Sequence, residues 1–171
     1  MSYDWDAIII GGGPAGSTVA RYAAKAGAKI LVIDRREEIG KPLQCGELVP
    51  TNKELKQLCP NVPDIDDLFQ TPDEAISRFT NTMGIVSPSG KRLEYPFEGQ
   101  ILNRPIHDQK LVQLAKNEGA QYSTKSRVND VIDNEVILKN GEHISSKIIV
   151  GCGGPHDILR KKFWDESSLN I

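Results

Sequence analysis

A glycine-rich hexapeptide, Gly11–Gly16 (GGGPAG), is the sequence feature that most constrains the fold. It follows the aliphatic run Ala7–Ile10 and precedes a helix-like stretch from Pro14 to about Ala26. A second aliphatic run, Lys29–Ile33, comes next. A helix between two such runs predicts a βαβ unit with a buried parallel sheet, so we predict an α/β, Rossmann-like fold.

The spacing of the glycines in this hexapeptide suits a phosphate group. Gly11 permits the tight turn, Gly13 lets the backbone approach a pyrophosphate, and Gly16 lets the helix lie close to the sheet. Pro14 and Ala15 complete the loop, and N–H groups at the helix start face the anion. A β-branched side chain at position 13 is expected to block the pyrophosphate and to strain a turn that requires glycine. The alternative interpretation is a tight strand-to-helix turn without a ligand.

Asp34 ends the second aliphatic run, at about the distance expected for the acid that accepts hydrogen bonds from a ribose. Arg35 and Arg36 follow it and could indicate a 2′-phosphate, and therefore NADP. However, Asp34 would place a carboxylate against that phosphate. We therefore favour FAD or NAD over NADP, with Asp34 and Arg35 among the cofactor-binding residues.

The rest of the chain predicts a loop-rich stretch and a second set of regular elements. Residues 35–72 are rich in proline and glycine and are predicted to be mostly loop. The other predicted elements are a short helix at Asn52–Leu58, a hairpin of Met83–Val86 with Arg92–Tyr95, a helix over Pro105–Asn117, strands at Arg127–Ile132, Glu135–Lys139 and His143–Val150, and a basic helix over His156–Phe163. The three late strands predict an antiparallel β-meander beside the parallel sheet. In the first helix, the small residues Gly16, Ala20 and Ala24 are predicted to face the sheet.

Charge and cysteine usage exclude several classes of protein. The chain carries 21 basic and 23 acidic side chains, so no broad cationic field exists to hold nucleic acid. Its longest aliphatic runs fall far short of the roughly 20 residues that a transmembrane helix needs. Three widely spread cysteines (Cys45, Cys59 and Cys152) and three histidines lack the spacing of a disulfide framework or a metal site. We predict no metal site, a reducing cytoplasmic location, and structural roles for Cys59 and Cys152.

A second motif lies in the segment Ile39–Glu47 (IGKPLQCGE). Together with Gly11–Gly16 and Asp34, it resembles the FAD fingerprint and the Gly-x-Pro-x-x-Cys segment of the geranylgeranyl reductase family. These are flavoproteins with a glutathione-reductase-type FAD domain, which saturate the isoprenoid chains of archaeal lipids and of chlorophyll. The turn at Ser87–Gly90 and the run Ile101–Arg104 also follow the order of the family, so the resemblance covers nearly the whole chain.

This resemblance implies FAD as the cofactor and adds four candidate site residues. It places Arg104 near the FAD pyrophosphate, which a guanidinium suits because it can donate to two oxygens at once. It also implies that Val128 and Gly151 bind the cofactor. Cys45 would face the flavin ring or the substrate channel, which makes it the candidate catalytic residue. The alternatives are a surface arginine at a helix start and a plain buried cysteine.

The implied activity is saturation of the double bonds of prenyl lipids by hydride transfer from reduced flavin. The implied partners are a geranylgeranyl-type lipid, an external electron donor such as NAD(P)H or ferredoxin, and a membrane surface contacted peripherally. The alternatives are a flavin monooxygenase or halogenase, which would not be expected to carry the Gly40–Cys45 segment, and a non-catalytic dinucleotide-binding module.

The resemblance also has departures. Gly153 stands where related flavoproteins usually have an aspartate, so an anchoring carboxylate is expected to be lost. The family continues well beyond the length of this chain, which predicts a truncated form without the C-terminal catalytic part. We interpret residues 1–171 as an FAD-binding domain in which about 73–100 form an inserted hairpin, the start of an incomplete substrate domain.

Overall fold

A computed structural model describes residues 3–42 and 45–164. The chain forms two compact units, one of residues 1–41 with 111–171 and the other of residues 42–110. In chain order the helices and strands are β1 (Trp5–Ile10), α1 (Pro14–Lys25), β2 (Ile30–Ile33), β3 (Leu48–Pro50), α2 (Asn52–Leu58), α3 (Ile65–Leu68), β4 (Ile76–Val86), β5 (Arg92–Leu102), α4 (Arg104–Asn117), β6 (Gln121–Ser123), β7 (Val128–Ile132), β8 (Glu135–Leu138), β9 (His143–Gly151) and α5 (Ile158–Phe163).

The first unit is built on a six-stranded sheet in the order β6-β2-β1-β9-β8-β7. β1 runs parallel to both β2 and β9, and β2 runs parallel to β6, whereas β8 pairs antiparallel with β9 and with β7. The predicted βαβ unit and β-meander are therefore confirmed. Because parallel strands end at the same edge, the segments that follow Ile10, Ile33, Ser123 and Gly151 meet there.

Alternating side chains of the parallel strands supply two separate cores. Ile8, Ile10, Leu31 and Ile33 pack with residues of the meander in one cluster. Ile9, Ile30 and Val32 pack in the other with Ala20 and Ala24 of α1 and with Ala115 and Ala120. Ala20 and Ala24 are buried, so the small residues of α1 face the sheet, as predicted. Burial of each isoleucine side chain stabilises the fold by about 1.5 to 3 kcal/mol. The two cores therefore hold in place the strand ends from which α1 begins.

The second unit holds a three-stranded antiparallel sheet in the order β3-β5-β4. The β4–β5 hairpin is longer than the predicted pairing of residues 83–86 with 92–95. A register shift between Thr80 and Thr82 interrupts the alternation of side chains, and Pro96 lies in the pairing opposite Thr82. These two features concealed the continuation of both strands, because a bulge and a proline weaken the two-residue pattern.

Two further predictions about elements are settled by the structure. The short helix at Asn52–Leu58 is confirmed, and Thr51 caps it by accepting the Glu54 N–H. β3 and α3 were missed within the stretch predicted as mostly loop. The predicted helix over residues 156–163 begins later, at Ile158, because the Asp157 carboxylate caps it there.

No helix within the described residues is both long enough and apolar enough to cross a bilayer.

Candidate dinucleotide-binding site

The loop between β1 and α1 starts at a glycine that no other residue could replace without strain. Gly11 has a φ of 103°, and its N–H donates to the Ile33 carbonyl at 2.8 Å. A Cβ atom added there would lie 2.3 Å from the carbonyl oxygen of Cys152. Gly11 therefore allows both the tight turn and the close approach of the chain that leaves β9.

Gly16 lies against the start of the same loop. A Cβ atom at Gly16 would lie 1.8 Å from the Gly11 carbonyl oxygen and 3.3 Å from Cβ of Cys152. The first turn of α1 therefore packs directly on the backbone of the loop, and only a residue without a side chain fits.

Gly13 differs from these two glycines. It is the N-cap of α1, with φ −66° and ψ −172°, and a Cβ atom there would meet nothing within 4 Å. The expectation that the turn requires glycine at position 13 is therefore wrong, because this backbone conformation is open to any residue. Because Gly13 has no side chain, the space beside the N-terminus of α1 is open at this position.

This space suits an anion. The first N–H groups of a helix lack partners within the helix, and the helix dipole favours negative charge there. α1 carries no acidic residue in its first turn, and Pro14 stands at its start, where a missing N–H is harmless. The residues present therefore fit a pyrophosphate.

Asp34 is fixed beside this loop, although it follows a different strand. Its side chain is buried, with one oxygen accepting the Gly12 N–H at 2.7 Å and the other accepting the Arg36 N–H at 2.8 Å. A carboxylate oxygen has more than one acceptor site, so a ribose hydroxyl could still donate to either oxygen. Arg35 is exposed next to it.

We predict that Asp34→Ala weakens both the loop and the binding of a dinucleotide. The substitution leaves two backbone N–H groups without their acceptor, at a cost of about 1 to 3 kcal/mol for each that stays buried. It also removes the acceptor proposed for the ribose. Denaturant unfolding and an FAD titration of the same preparation measure the two effects, and unchanged values in both would remove Asp34 from the site.

The segment after β9 also reaches this edge of the sheet. Gly151 pairs with Ile10, and the Cys152 N–H donates to the Ile10 carbonyl at 2.7 Å. Asp157 accepts the Gly153 N–H at 2.5 Å, and a Cβ atom at Gly153 would lie 2.8 Å from the same carboxylate oxygen. The loss of a cofactor-anchoring carboxylate at Gly153 stays a prediction, since the Asp157 carboxylate is bonded to the backbone here.

Asp157 was missed as a capping acid because the helix was predicted to begin one residue earlier, at His156. Its carboxylate accepts the N–H groups of Leu159 and Arg160 as well. Burial, reinforced by the nearby Asp157, raises the pKa of the Cys152 thiol. That thiol therefore stays neutral, which agrees with a structural role.

Val128 enters its strand close to Asp34. Just before β7, the Lys125 N–H donates to the Arg36 carbonyl and the Ser126 N–H donates to the Asp34 carbonyl at 3.0 Å. Val128 itself is partly buried and packs against the core that contains Ile10 and Ile33. The structure thus brings the chain around Val128, Gly151 and Asp34 to the edge where the Gly11–Gly16 loop lies.

Two further predicted residues, Cys45 and Arg104, meet in the second unit. Arg104 donates through Nε and Nη2 to the two oxygens of Asp108, both at 3.0 Å, and the nearby Cys45 thiol is exposed. Asp108 is buried and contacts Nδ1 of His107 at 3.2 Å. Sequence reasoning missed Asp108, four residues after Arg104 on one helix face. Leu43 and Gln44 of the predicted Gly-x-Pro-x-x-Cys segment lie outside the described residues.

This cluster predicts a loss of stability in acid. Burial acts to raise the pKa of Asp108, but hydrogen bonds from His107 and Arg104, with their charges, outweigh it and lower that pKa below the ordinary 3.8. A lowered folded-state pKa stabilises the fold above the unfolded value, and this contribution is lost as the pH falls through the folded value. We expect the free energy of unfolding to fall between pH 5 and about 3.

Asp108→Asn isolates this effect from the other acids. The variant should be less stable than the parent at pH 5, and the difference should shrink as the pH approaches 3. Urea unfolding at both values measures it. A constant difference would show that Asp108 does not contribute to the acid dependence.

Within residues 3–42 and 45–164, no group of three or more His, Cys, Asp or Glu side chains is placed so that it could hold a metal ion.

The sheet order and the loop at the end of β1 define the class of protein. The sequence matches the family model of the NAD(P)-binding Rossmann-like domain over residues 9–48. This agrees with a mixed six-stranded sheet whose first βα turn carries the glycine-rich loop. The chain contains a dinucleotide-binding domain of the Rossmann-like type.

Two curated relatives are each 34% identical to this chain. One is an uncharacterised protein encoded in the nifH2 5′ region of Methanosarcina barkeri, and the match covers 92% of this chain and 86% of that protein. The other is digeranylgeranylglycerophospholipid reductase 3 of Methanosphaera stadtmanae, with 97% of this chain and 43% of the reductase covered. The chain spans about two fifths of the length of the reductases that it matches.

Solved structures with a similar fold include a protein related to the geranylgeranyl reductases. A geranylgeranyl bacteriochlorophyll reductase-like protein from Thermoplasma acidophilum superposes with a TM-score of 0.69 at 30% identity, over 85% of this chain and 38% of that one. Halogenase PltM, in complex with phloroglucinol and FAD, has a TM-score of 0.67 at 20% identity over 92% of this chain and 36% of its own, a likeness of fold alone. The chain is a homologue of digeranylgeranylglycerophospholipid reductases over about two fifths of their length.

Proposed function

We propose that this chain is the FAD-binding domain of a geranylgeranyl-reductase-like oxidoreductase. The observation that carries the proposal is the open space at Gly13, at the N-terminus of α1, with the buried Asp34 carboxylate tied to the adjacent Gly12 N–H. This pairing of an anion site with a ribose acceptor is what a dinucleotide requires. The family relationship supports FAD among the dinucleotides.

Each predicted residue then has a role toward the cofactor. The Gly11–Gly16 loop and the first turn of α1, with Pro14 and Ala15, would bind the pyrophosphate, and Asp34 would accept hydrogen bonds from the ribose. The exposed Arg35 and the backbone near Val128 and Gly151 would complete the adenosine side. Since Asp34 would repel a 2′-phosphate, we expect discrimination against NADP.

In the second unit, Arg104 and Cys45 would serve the flavin side. Two of the donors of Arg104 are occupied by Asp108, which holds the guanidinium in one orientation. Its remaining N–H groups are donors of the kind that a pyrophosphate accepts. The exposed Cys45 thiol, near the same guanidinium, would lie beside the reacting face.

FAD, when bound and reduced, supplies a hydride to an isolated alkene, while a proton adds to the other carbon. We propose a geranylgeranyl-type lipid as the substrate and an external donor such as NAD(P)H or ferredoxin as the source of electrons. The relatives named as digeranylgeranylglycerophospholipid reductases support the substrate class.

A chimera tests the proposal. In the M. stadtmanae reductase, the 43% that matches this chain would be replaced by residues 1–171, and saturation of a geranylgeranyl lipid would be measured with a chemical reductant. We expect turnover from the chimera and none from the same chimera with Gly13→Asp. A chimera that holds FAD but never reduces the lipid would favour the alternatives, a halogenase-type flavin enzyme or a non-catalytic module.

The 171-residue chain alone should bind FAD weakly and give no turnover. Alkene reduction requires an enclosed and oriented site, and three fifths of the reductase length lie outside the match. Sustained lipid reduction by the purified chain would contradict this expectation.

A further inference from the structure

Two linked hydroxyl groups, of the partly buried Tyr122 and the buried Ser17, connect β6 to the Gly11–Gly16 loop. The Tyr122 hydroxyl donates to Oγ of Ser17 at 3.0 Å, and Ser17 Oγ donates to the Gly12 carbonyl oxygen at 2.8 Å. Tyr122 lies on β6 and Ser17 on α1, 105 positions apart in the sequence. Ser17 is 1% exposed, so no water competes for its hydroxyl.

The donor direction along this chain is set by the surroundings. Burial raises the pKa of Tyr122, and this outweighs the opposite effect of the bond to Ser17, so the phenol keeps its proton. A protonated phenol donates to Ser17 Oγ, which leaves the single Ser17 proton for the Gly12 carbonyl.

The Gly12 residue is therefore held on both sides. Its N–H is held by Asp34 at 2.7 Å, and its carbonyl by Ser17. A trans peptide is planar, and its N–H points opposite to its carbonyl. A Gly12 carbonyl directed at Ser17 therefore turns the Gly13 N–H the other way, at a residue where an added Cβ atom would meet nothing within 4 Å.

We propose that Tyr122 and Ser17 are positioning residues, which orient the Gly12–Gly13 peptide so that the Gly13 N–H donates to the pyrophosphate of the bound dinucleotide. The proposal rests on the proposed function, since it requires a dinucleotide in the loop. A hydrogen-bond donor fixed before binding loses less entropy when the ligand arrives, so the relay raises affinity without touching the ligand.

The test uses three variants of the 171-residue chain: Tyr122→Phe, Ser17→Ala and the double substitution. Tyr122→Phe removes one oxygen atom from a partly exposed ring, so it disturbs packing least. Tyr95→Phe, on the exposed surface of β5, is the matched control. FAD is titrated into each protein at 10 °C, with circular dichroism of the same samples to show that they are folded.

We expect each single variant to bind FAD about tenfold more weakly than the parent, and Tyr95→Phe to bind like the parent. Because Tyr122 acts through Ser17, the double variant should bind no more weakly than Ser17→Ala alone. The amide resonance of Gly13 in a glycine-labelled sample should shift in Tyr122→Phe, which loss of stability alone would not produce.

Several results would overturn the inference. A parent that binds FAD and single variants that bind it equally well would exclude the positioning role and leave the proposed function standing. Additive losses in the double variant would show that the two residues do not act in series. A parent without saturable FAD binding would remove this inference and the proposed function together.

Discussion

Gly13→Asp should weaken FAD binding at least a hundredfold while the fold keeps its stability. The position has an ordinary backbone conformation and no neighbour within 4 Å of an added Cβ atom. Aspartate is a preferred N-cap residue and its charge suits a helix N-terminus, so the free energy of unfolding should stay level or rise slightly. The same charge would face the proposed pyrophosphate, and two like charges about 4 Å apart near a protein surface repel by roughly 4 kcal/mol.

The control for this variant places the same acid at another helix. Thr51 caps α2 in the second unit through the Glu54 N–H, and Thr51→Asp should preserve that cap. FAD titrations of both variants separate a local effect of the loop from a general effect of added charge. Equal affinity of Gly13→Asp and the parent would mean that no phosphate lies at this helix N-terminus.

Gly16→Ala should have the largest effect on folding. Its methyl group would lie 1.8 Å from a backbone oxygen of Gly11, which cannot yield as a flexible side chain would. Forcing atoms into a packed site costs about 3 kcal/mol, or roughly 6 to 12 °C in the unfolding midpoint of a chain of this size.

Gly13→Ala is the matched control for Gly16→Ala, since it adds the same methyl group to the same loop in open space. The free energy of unfolding of Gly13→Ala should fall by only about 1 kcal/mol, the ordinary difference between glycine and alanine at an N-cap. Thermal unfolding of the two variants decides the matter. Similar midpoints for both would show that α1 does not pack on the loop as described.

The glycine-rich loop and the parallel strands could be predicted because their signals are local. A short aliphatic run, a glycine pattern and an amphipathic stretch each follow from a few adjacent residues, and Asp34 lies at a fixed distance beyond them. The face of α1 that packs on the sheet was predicted from the four-residue spacing of its small residues, and Ala20 and Ala24 are buried as expected.

The features that were missed depend on residues far apart or on local irregularity. The bond between Tyr122 and Ser17 joins an ordinary tyrosine to an ordinary serine, and neither residue has a pattern that indicates the other. The conformation of Gly13 was misjudged, because the glycine pattern does not show which of its positions has a positive φ. The length of the β4–β5 hairpin was concealed by the register shift near Thr80.

The central claim is that this chain holds the adenosine half of FAD at the Gly11–Gly16 loop. Its most direct test is an equilibrium titration of FAD into the purified parent chain, repeated with an excess of ADP and, separately, of FMN. We predict saturable binding of one FAD per chain, displaced by ADP but not by FMN, because FMN lacks the adenosine half. Displacement by FMN alone, or binding that never saturates, would contradict the account.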